Sequence, residues 1–487
     1  MQFAILSVFY ILAALILFYS LRTEFRLYIL CAASIIYPFL LGQEVGTAII
    51  VISLTVYGAG LLIDYLNNIG QKKVSSILMI LTITMIVGIM VLTKYFSRIL
   101  AFLNAENLFV NSIPEDSFLF SVCIPIGFSF YGFQAISYIL DVYNGKKQAE
   151  RNILLFHIYM AWFPKFISGP IERSDEFIHQ LRSIDKVRIF DAHRIKKSAS
   201  YIFIGCFYKM VVADRIAPLI KQVFLSPGNY SRAILIIVAI LFTIQIYCDF
   251  AGYSMFAIGV SELFGIRLTE NFNAPYLSHN INEFWERWHI SLSRWLKQYI
   301  YIPLGGNRKG IERKYLNIMI VFLISGIWHG AGWGFIIWGL LHGTYSVIDN
   351  LILRSNYTRI REGFIGRFIT FTSVSFAWIF FYNGSVSSAI NYIKTLLITP
   401  GELGIINQLV LIKNDTDTMV DLVVLLAVII IILVFDMVIY KKTLLKMIEN
   451  MSLGSWCLMI WILILLVAVF GVYGPDIEGN QMIYMQF

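Results

Sequence analysis

Apolar runs recur along the whole chain, separated by short links rich in Lys and Arg. Crossing a hydrocarbon core of roughly 30 Å takes about 20 helical residues. Runs of that order predict spans near 3–20, 28–41, 47–65, 75–93 and 121–140, then near 199–213, 232–262, 368–383, 420–440 and 455–473. Placing Arg22 and Arg26 in the cytoplasm lets the positive-inside bias test the alternation loop by loop. Lys72, Lys73, Lys146, Lys147 and Arg151 then fall inside, and the loop around Glu106, Glu115 and Asp116 falls outside. Near the C-terminus, Lys441, Lys442 and Lys446 fall inside and Asp476 and Glu478 outside.

Three stretches depart from simple crossing. Residues 153–171 are apolar but broken by Pro164, Lys165, Gly169 and Pro170, and a regular span there would put the basic stretch from Arg173 to Lys197 outside. That segment reads as re-entrant from the cytoplasmic face. In 283–303, Glu286, Arg287, Arg294 and Lys297 interrupt the apolar residues. At 100° per residue Phe284, Trp285, Trp288, Leu292, Trp295, Leu296 and Tyr299 share one face, which predicts one amphipathic interfacial helix. The stretch from Tyr315 to Asn350 would reach about 54 Å as one straight helix. A turn at Gly330–Ala331–Gly332 makes it two short crossings and returns Arg354, Arg359, Arg361 and Arg367 to the cytoplasm. The span near 232–262 is long enough to be tilted, or broken at Gly252. The expected total is about 12 crossings with both termini outside.

Composition narrows the class. At 58% hydrophobic and 14% charged, with a mean hydropathy of +0.73, the chain lies outside the soluble globular range, and residues 1–487 read as a single membrane domain. The run from Phe3 to Tyr19 reads as a retained first helix, since no small-residue cleavage site follows it. The net charge of +8 sits in short loops, which points to topology and anionic headgroups and away from nucleic acid. The five cysteines form no C-x-x-C pair and read as packing residues. No internal repeat of the transporter type is evident.

Ionisable groups at membrane depth are functional-site candidates by default. His329 lies about 21 Å along a helix from the basic edge at Arg313 and Lys314. There desolvation favours the neutral imidazole, the form that acts as a general base. Gly326, Gly330, Gly332 and Gly334 leave room beside it for a helix or a substrate. A hydrogen bond to a neighbouring helix is the alternative role. His289 stands one turn from Glu286 and Ser293, at the edge of an apolar stripe, and reads either as a second reactive group or as an interfacial histidine among tryptophans. No H-E-x-x-H and no third ligand at a recognisable spacing accompany it, so a metal site is not expected. His342 reads as a structural hydrogen-bonding residue. Asp249 sits inside QIYCDFAGYS with Gln245 and Tyr253 one turn away on either side as potential partners. In PLGGNRKG, Gly305 and Gly306 precede Arg308 and Lys309, a loop that either cradles phosphate or is a plain basic turn.

The stretches RWHISLSRWLKQYIYIPLGGNRKG and GIWHGAGWGFIIWGLLHG, with GFSFYGFQAISYILDVYNG, FPKFISGPIER, QIYCDFAGYSMFAIG, ENFNAPY and the terminal MIYMQF, resemble the membrane-bound O-acyltransferase family. The likeness is to its bacterial polysaccharide branch and covers most of the chain from residue 120 on. It implies an all-α polytopic membrane fold with about 12 transmembrane helices plus re-entrant and amphipathic helices. It also implies acyl transfer from a cytoplasmic donor to hydroxyls of an extracytoplasmic polysaccharide or cell-wall glycan. His329 of the W-H-G motif, with Trp328 beside it, would be the principal catalytic residue and His289 of R-W-H the second. Asp249, Gln245, Tyr253 and Ser293 would support them, and Arg308 and Lys309, or the basic 173–197 loop, would meet the donor's phosphates. No bound cofactor is implied; the donor would be acetyl-CoA or another acyl thioester. Implied partners are the lipid bilayer of a bacterial plasma membrane and an extracytoplasmic acyltransferase or esterase-like protein. Where many relatives carry an aspartate shortly after G-Y-S, this chain has Met255 and Phe256. D-alanyl transfer to teichoic acid belongs to the same wider family, and a non-catalytic polysaccharide exporter is the rival from another class.

Overall fold

The computed structural model describes residues 2–105, 127–352, 363–382, 384–399 and 418–473. Among the described residues every named element is helical, and the one isolated β pairing is an antiparallel bridge between Phe272 and Trp288. Seven described helices are long and apolar enough to cross a membrane, fewer than the expected count. Expectations resting on Glu106, Glu115, Asp116, Arg354, Arg359, Arg361, Asp476, Glu478, the start of the span near 121 and the terminal MIYMQF lie outside the described residues. The chain divides into two compact units, Met1–Ala199 with Ala257–Thr269, and Ser200–Phe256 with Glu270–Phe487.

The first unit contains α1 (Gln2–Ser20), α2 (Arg26–Leu41), α3 (Gln43–Asn68), α4 (Lys72–Ala105), α5 (Phe128–Tyr143), α6 (Ile153–Ala161) and α7 (Ser174–Leu181). The interruption expected in 153–171 is present: α6 has nine residues and gives way at Trp162 to a single tight turn over Phe163–Lys165. A helix of that length reaches only about 13 Å, too short to cross a bilayer. Arg26, expected in a polar loop, is buried, with its guanidinium donating to the carbonyls of Phe18, Ile184, Asp185 and Val187. Lys165 and Glu172 are buried too. The Lys165 ammonium donates to Gln134 Oε1 at 2.5 Å, while the Glu172 carboxylate accepts from the Thr269 amide at 2.7 Å and hydroxyl at 3.1 Å.

In the chain order that follows come α8 (Ala192–Cys206), α9 (Asp214–Leu225), α10 (Arg232–Leu263), α11 (Ile281–Arg287), α12 (Ile290–Leu296), α13 (Ile311–His329), α14 (Trp333–Ile352), α15 (Gly363–Phe381), α16 (Val386–Ile398), α17 (Thr418–Lys441), α18 (Leu444–Asn450) and α19 (Leu453–Phe470). A wider π turn over Phe207–Ala213 joins α8 to α9. Of the two alternatives for the long span, tilted or broken at Gly252, the break does not occur; α10 runs through Gly252. Gly252 serves instead as a crossing point, because a Cβ there would stand 2.8 Å from the Gly205 carbonyl oxygen, and one on Gly205 would stand 2.6 Å from that of Gly252. The predicted hairpin is present: α13 ends at His329 and α14 starts at Trp333, either side of the glycine turn. A Cβ on Gly326 would run into the Phe335 carbonyl, so the two helices touch backbone to backbone.

The single amphipathic helix expected over 283–303 is not formed. Two seven-residue helices, α11 and α12, flank Trp288 and His289, and a π turn over Lys297–Tyr301 follows. The apolar stripe is still buried, with Phe284, Trp288, Leu292, Trp295 and Leu296 all in the core, but two helices present it. Tertiary contacts break the local periodicity here, and the break falls at a candidate catalytic residue.

Candidate active site

His289 adopts φ 43° and ψ 54°, in the left-handed region, one of two non-glycine residues with positive φ among those described. Such a conformation costs on the order of 1–3 kcal/mol and persists only where the surroundings enforce it. The enforcing groups come from 271–273, within ENFNAPY. Asn271 accepts from the Ile290 amide at 3.0 Å, Asn273 donates to the Arg287 carbonyl at 3.0 Å, and Phe272 bridges to Trp288. The Asn271 side chain then accepts from the Ser291 amide at 3.2 Å and hydroxyl at 2.7 Å, and donates to Ser254 at 3.3 Å. A polar brace thus clamps both sides of the kink.

Held this way, the His289 ring is fully buried, edge-on to Phe250 at 4.7 Å between centroids and 6.3 Å from Trp328. Burial pushes its pKa down to about 3, so the imidazole is neutral across the physiological range. His329, at the C-terminal end of α13, is 4% exposed. Its ring lies 4.7 Å from Trp328, 4.9 Å from Trp338 and 5.0 Å from Phe381. The indole of Trp328 therefore contacts both imidazoles. Gly332 and Gly334, expected to leave room for a helix or a substrate, admit protein: a Cβ on either would meet the backbone of Gly384, whose carbonyl accepts from the Gly334 amide at 2.8 Å.

The other candidates are distributed unevenly. Asp249 is buried on α10, next in sequence to the Phe250 that packs on His289. Beside the potential partners Gln245 and Tyr253 it has a charge partner not named from the sequence, Lys209: the ammonium stands 2.6 Å from Asp249 Oδ1 and 2.8 Å from Asp214 Oδ1. A lone lysine inside the apolar run 199–213 was the available signal for it. The Ser293 hydroxyl donates to the Trp288 carbonyl at 3.4 Å, across the kink. Arg308 and Lys309 are exposed. The amides of Gly305, Gly306 and Arg308 are spent on turn hydrogen bonds to Ile302, Tyr301 and Gly305, so these three do not point to a phosphate. Sequence reasoning did not single out Asn271, Trp338 or Phe381. Among the described residues no cluster of His, Cys, Asp and Glu is arranged to hold a metal ion. Within the first unit, Glu172, Glu176, Gln180, Arg267 and Thr269 line a cavity of about 500 Å³.

The imidazoles of His289 and His329, both buried among indole and phenyl rings, form a dry site of the kind in which a ring nitrogen can take up a proton. Comparison with known proteins agrees with the residues that build it. Residues 150–388, which include His289, His329, Asp249 and the 271–273 brace, match the model of the membrane-bound O-acyltransferase family. A probable alginate O-acetylase AlgI of Azotobacter vinelandii is 40% identical over 278 residues, covering 56% of this chain and 54% of that protein. A peptidoglycan O-acetyltransferase of Helicobacter pylori is 35% identical over 303 residues, covering 56% and 57%. A teichoic acid D-alanyltransferase of Streptococcus thermophilus is 32% identical over 282 residues, covering 53% and 68%. The chain spans about half the length of the first of these relatives. With its all-helical, apolar architecture and both histidine motifs inside the matched region, the chain belongs to the membrane-bound O-acyltransferase family.

Proposed function

We propose that the protein is a membrane O-acyltransferase, specifically an O-acetyltransferase, that moves an acyl group from a cytoplasmic thioester to hydroxyls of an extracytoplasmic polysaccharide or cell-wall glycan. The observation that carries this reading is the burial of His329 and His289 against the same indole, that of Trp328. A neutral His329 takes the proton of an attacking hydroxyl as its oxygen adds to the thioester carbonyl. It returns that proton to the departing thiolate when the tetrahedral intermediate collapses. A positioned base of this kind contributes about 10²–10⁴-fold in rate. His289 orients donor or acceptor, and the backbone near Gly330 and Gly332 is the place where amides would stabilise the oxyanion. Acetyl-CoA is the simplest donor, met at its phosphates by Arg308 and Lys309. An extracytoplasmic transferase receives the acyl group on the far side of a bacterial plasma membrane.

The test is glycan-bound ester in cells carrying wild type, His329→Ala or His289→Ala, with membrane levels of each protein checked. Loss of ester in the His329 variant at normal protein level is expected. Unchanged ester with reduced surface polysaccharide overturns the enzyme reading in favour of export. A relative at 32% identity is named a D-alanyltransferase, so the released group is also identified. Acetate supports this reading, and D-alanine transfers the same site chemistry to the other donor.

A further inference from the structure

His342 is a buried titratable group that the proposed reaction leaves unused. It lies on α14 one turn beyond Trp338 and is fully buried. Its ring is boxed by Trp285 at 5.1 Å, Trp338 at 4.9 Å, Tyr345 at 6.0 Å, Phe284 at 6.1 Å and Phe322 at 6.2 Å. A phenylalanine would fill such a box without polar atoms to satisfy. Buried polar atoms are almost always hydrogen-bonded, and an exception calls for a reason.

One ring nitrogen is accounted for. The indole Nε1 of Trp285 donates to His342 Nδ1 at 3.3 Å. An indole can only donate, so Nδ1 is the acceptor, the ring is neutral, and its single proton sits on Nε2. Nε2 has no hydrogen-bond partner among the described residues, and neither does the Trp338 indole nitrogen. Trp338 stands 4.9 Å from His342 and 4.9 Å from His329 between ring centroids. Two unmet donors therefore follow His329 down the hairpin from its glycine turn. A thioester donor with its reacting carbon at His329 needs acceptors met along that line, since its carbonyl groups lose water on entering an aromatic interior.

We propose that His342 is a substrate-binding residue whose Nε2–H donates to a carbonyl oxygen of the acyl donor, one ring away from His329. This rests on the acyl-transfer reading above. The competing role is structural. α14 also holds α11 through Ser346 Oγ to Asn282 Oδ1 at 2.6 Å and the Ile281 amide to Asp349 Oδ2 at 2.5 Å, and the Trp285 bond to His342 belongs to the same seam.

Two substitutions separate these roles in the full-length protein in native membranes. His342→Asn keeps an oxygen where Nδ1 accepts from Trp285 but cannot reach the Nε2 position. His342→Gln places an amide N–H near Nε2 and gives up the Trp285 acceptor. With acetyl-CoA as the probe and acetyl transfer to glycan as the readout, H342Q is expected to stay within about threefold of wild type in KM. H342N is expected to raise KM about tenfold or more, with kcat less affected. The reverse order, equal losses in both, or no change in either overturns the proposal. Failure of the underlying reading shows separately, as full acetyl transfer by H329A in the same membranes.

Discussion

His329 and His289 are buried against the same indole, yet different forces hold them there. His329 ends a regular helix, and its position follows from close packing of α13 on α14 at Gly326 and of the turn on Gly384. His289 sits in a left-handed kink between two seven-residue helices, and its position follows from hydrogen bonds contributed by 271–273. One side of the site is a packing problem and the other a polar one. Packing tolerates loss of a polar group and fails on added volume; the brace does the opposite.

That contrast can be broken most sharply at the brace. Asn271→Leu removes the acceptor for both Ser291 bonds and the donor to Ser254, leaving buried polar groups unmet at roughly 1–3 kcal/mol each. Ester formation per molecule is expected to fall about tenfold or more, while Asn271→Asp, which retains the acceptor, recovers part of it; equal activity in the leucine variant would show that the kink holds itself. On the other side, Gly332→Ala inserts a methyl against the Gly384 backbone. The expected result is a loss of about 1–3 kcal/mol in stability, read as a lower melting temperature of the purified protein. Activity per folded molecule is expected to fall less than in Asn271→Leu, because no group of the brace is touched.

A smaller effect is expected from proton binding. His289 is held at a pKa of about 3 in the folded protein against an ordinary 6.5, so the unfolded chain takes up the proton first as pH falls. Its contribution to stability is therefore present above about 6.5 and lost progressively toward 3. His289→Gln should flatten the decline in melting temperature between about pH 6.5 and 5. An unchanged slope would place the acid sensitivity elsewhere. The smallest effect belongs to the exposed loop: Arg308→Ala with Lys309→Ala should raise KM for acetyl-CoA about two- to threefold at low salt. The difference should shrink at high salt, as for other solvent-screened charges.

The two sides also differ in how far the amino-acid sequence discloses them. The hairpin was legible because its length, its apolar pattern and the Gly330–Gly332 turn are all local signals. The interruption at Pro164 and Gly169 and the helices α2, α3, α10, α15 and α19 were legible for the same reason. The kink was not. The 100° periodicity of 283–299 is intact, and what breaks it is a segment ten or more residues upstream, at Asn271 and Asn273, whose side-chain types carry no pairing signal. Nor could periodicity show that Lys209 reaches Asp249, since the residues meet only because Gly205 and Gly252 let two backbones cross. The spent amides of the Gly305–Arg308 turn are a further case: a glycine-rich basic loop looks open in sequence and is closed by its own turns.

The seam between α11 and α14 has an implication for biogenesis. The amide of Ile281 that opens α11 is capped by Asp349, 68 residues later in the chain. A ribosome adding about 5–20 residues per second therefore needs several seconds after making α11 before this contact with α14 can form. Over that interval α11 has its local cap, the Asn280 side chain accepting from the Glu283 amide, and the 271–273 brace, but lacks its tie to α14. The seam is thus completed late, once α14 has been made, and a nascent chain stalled before Asp349 carries both histidines without the tie between α11 and α14.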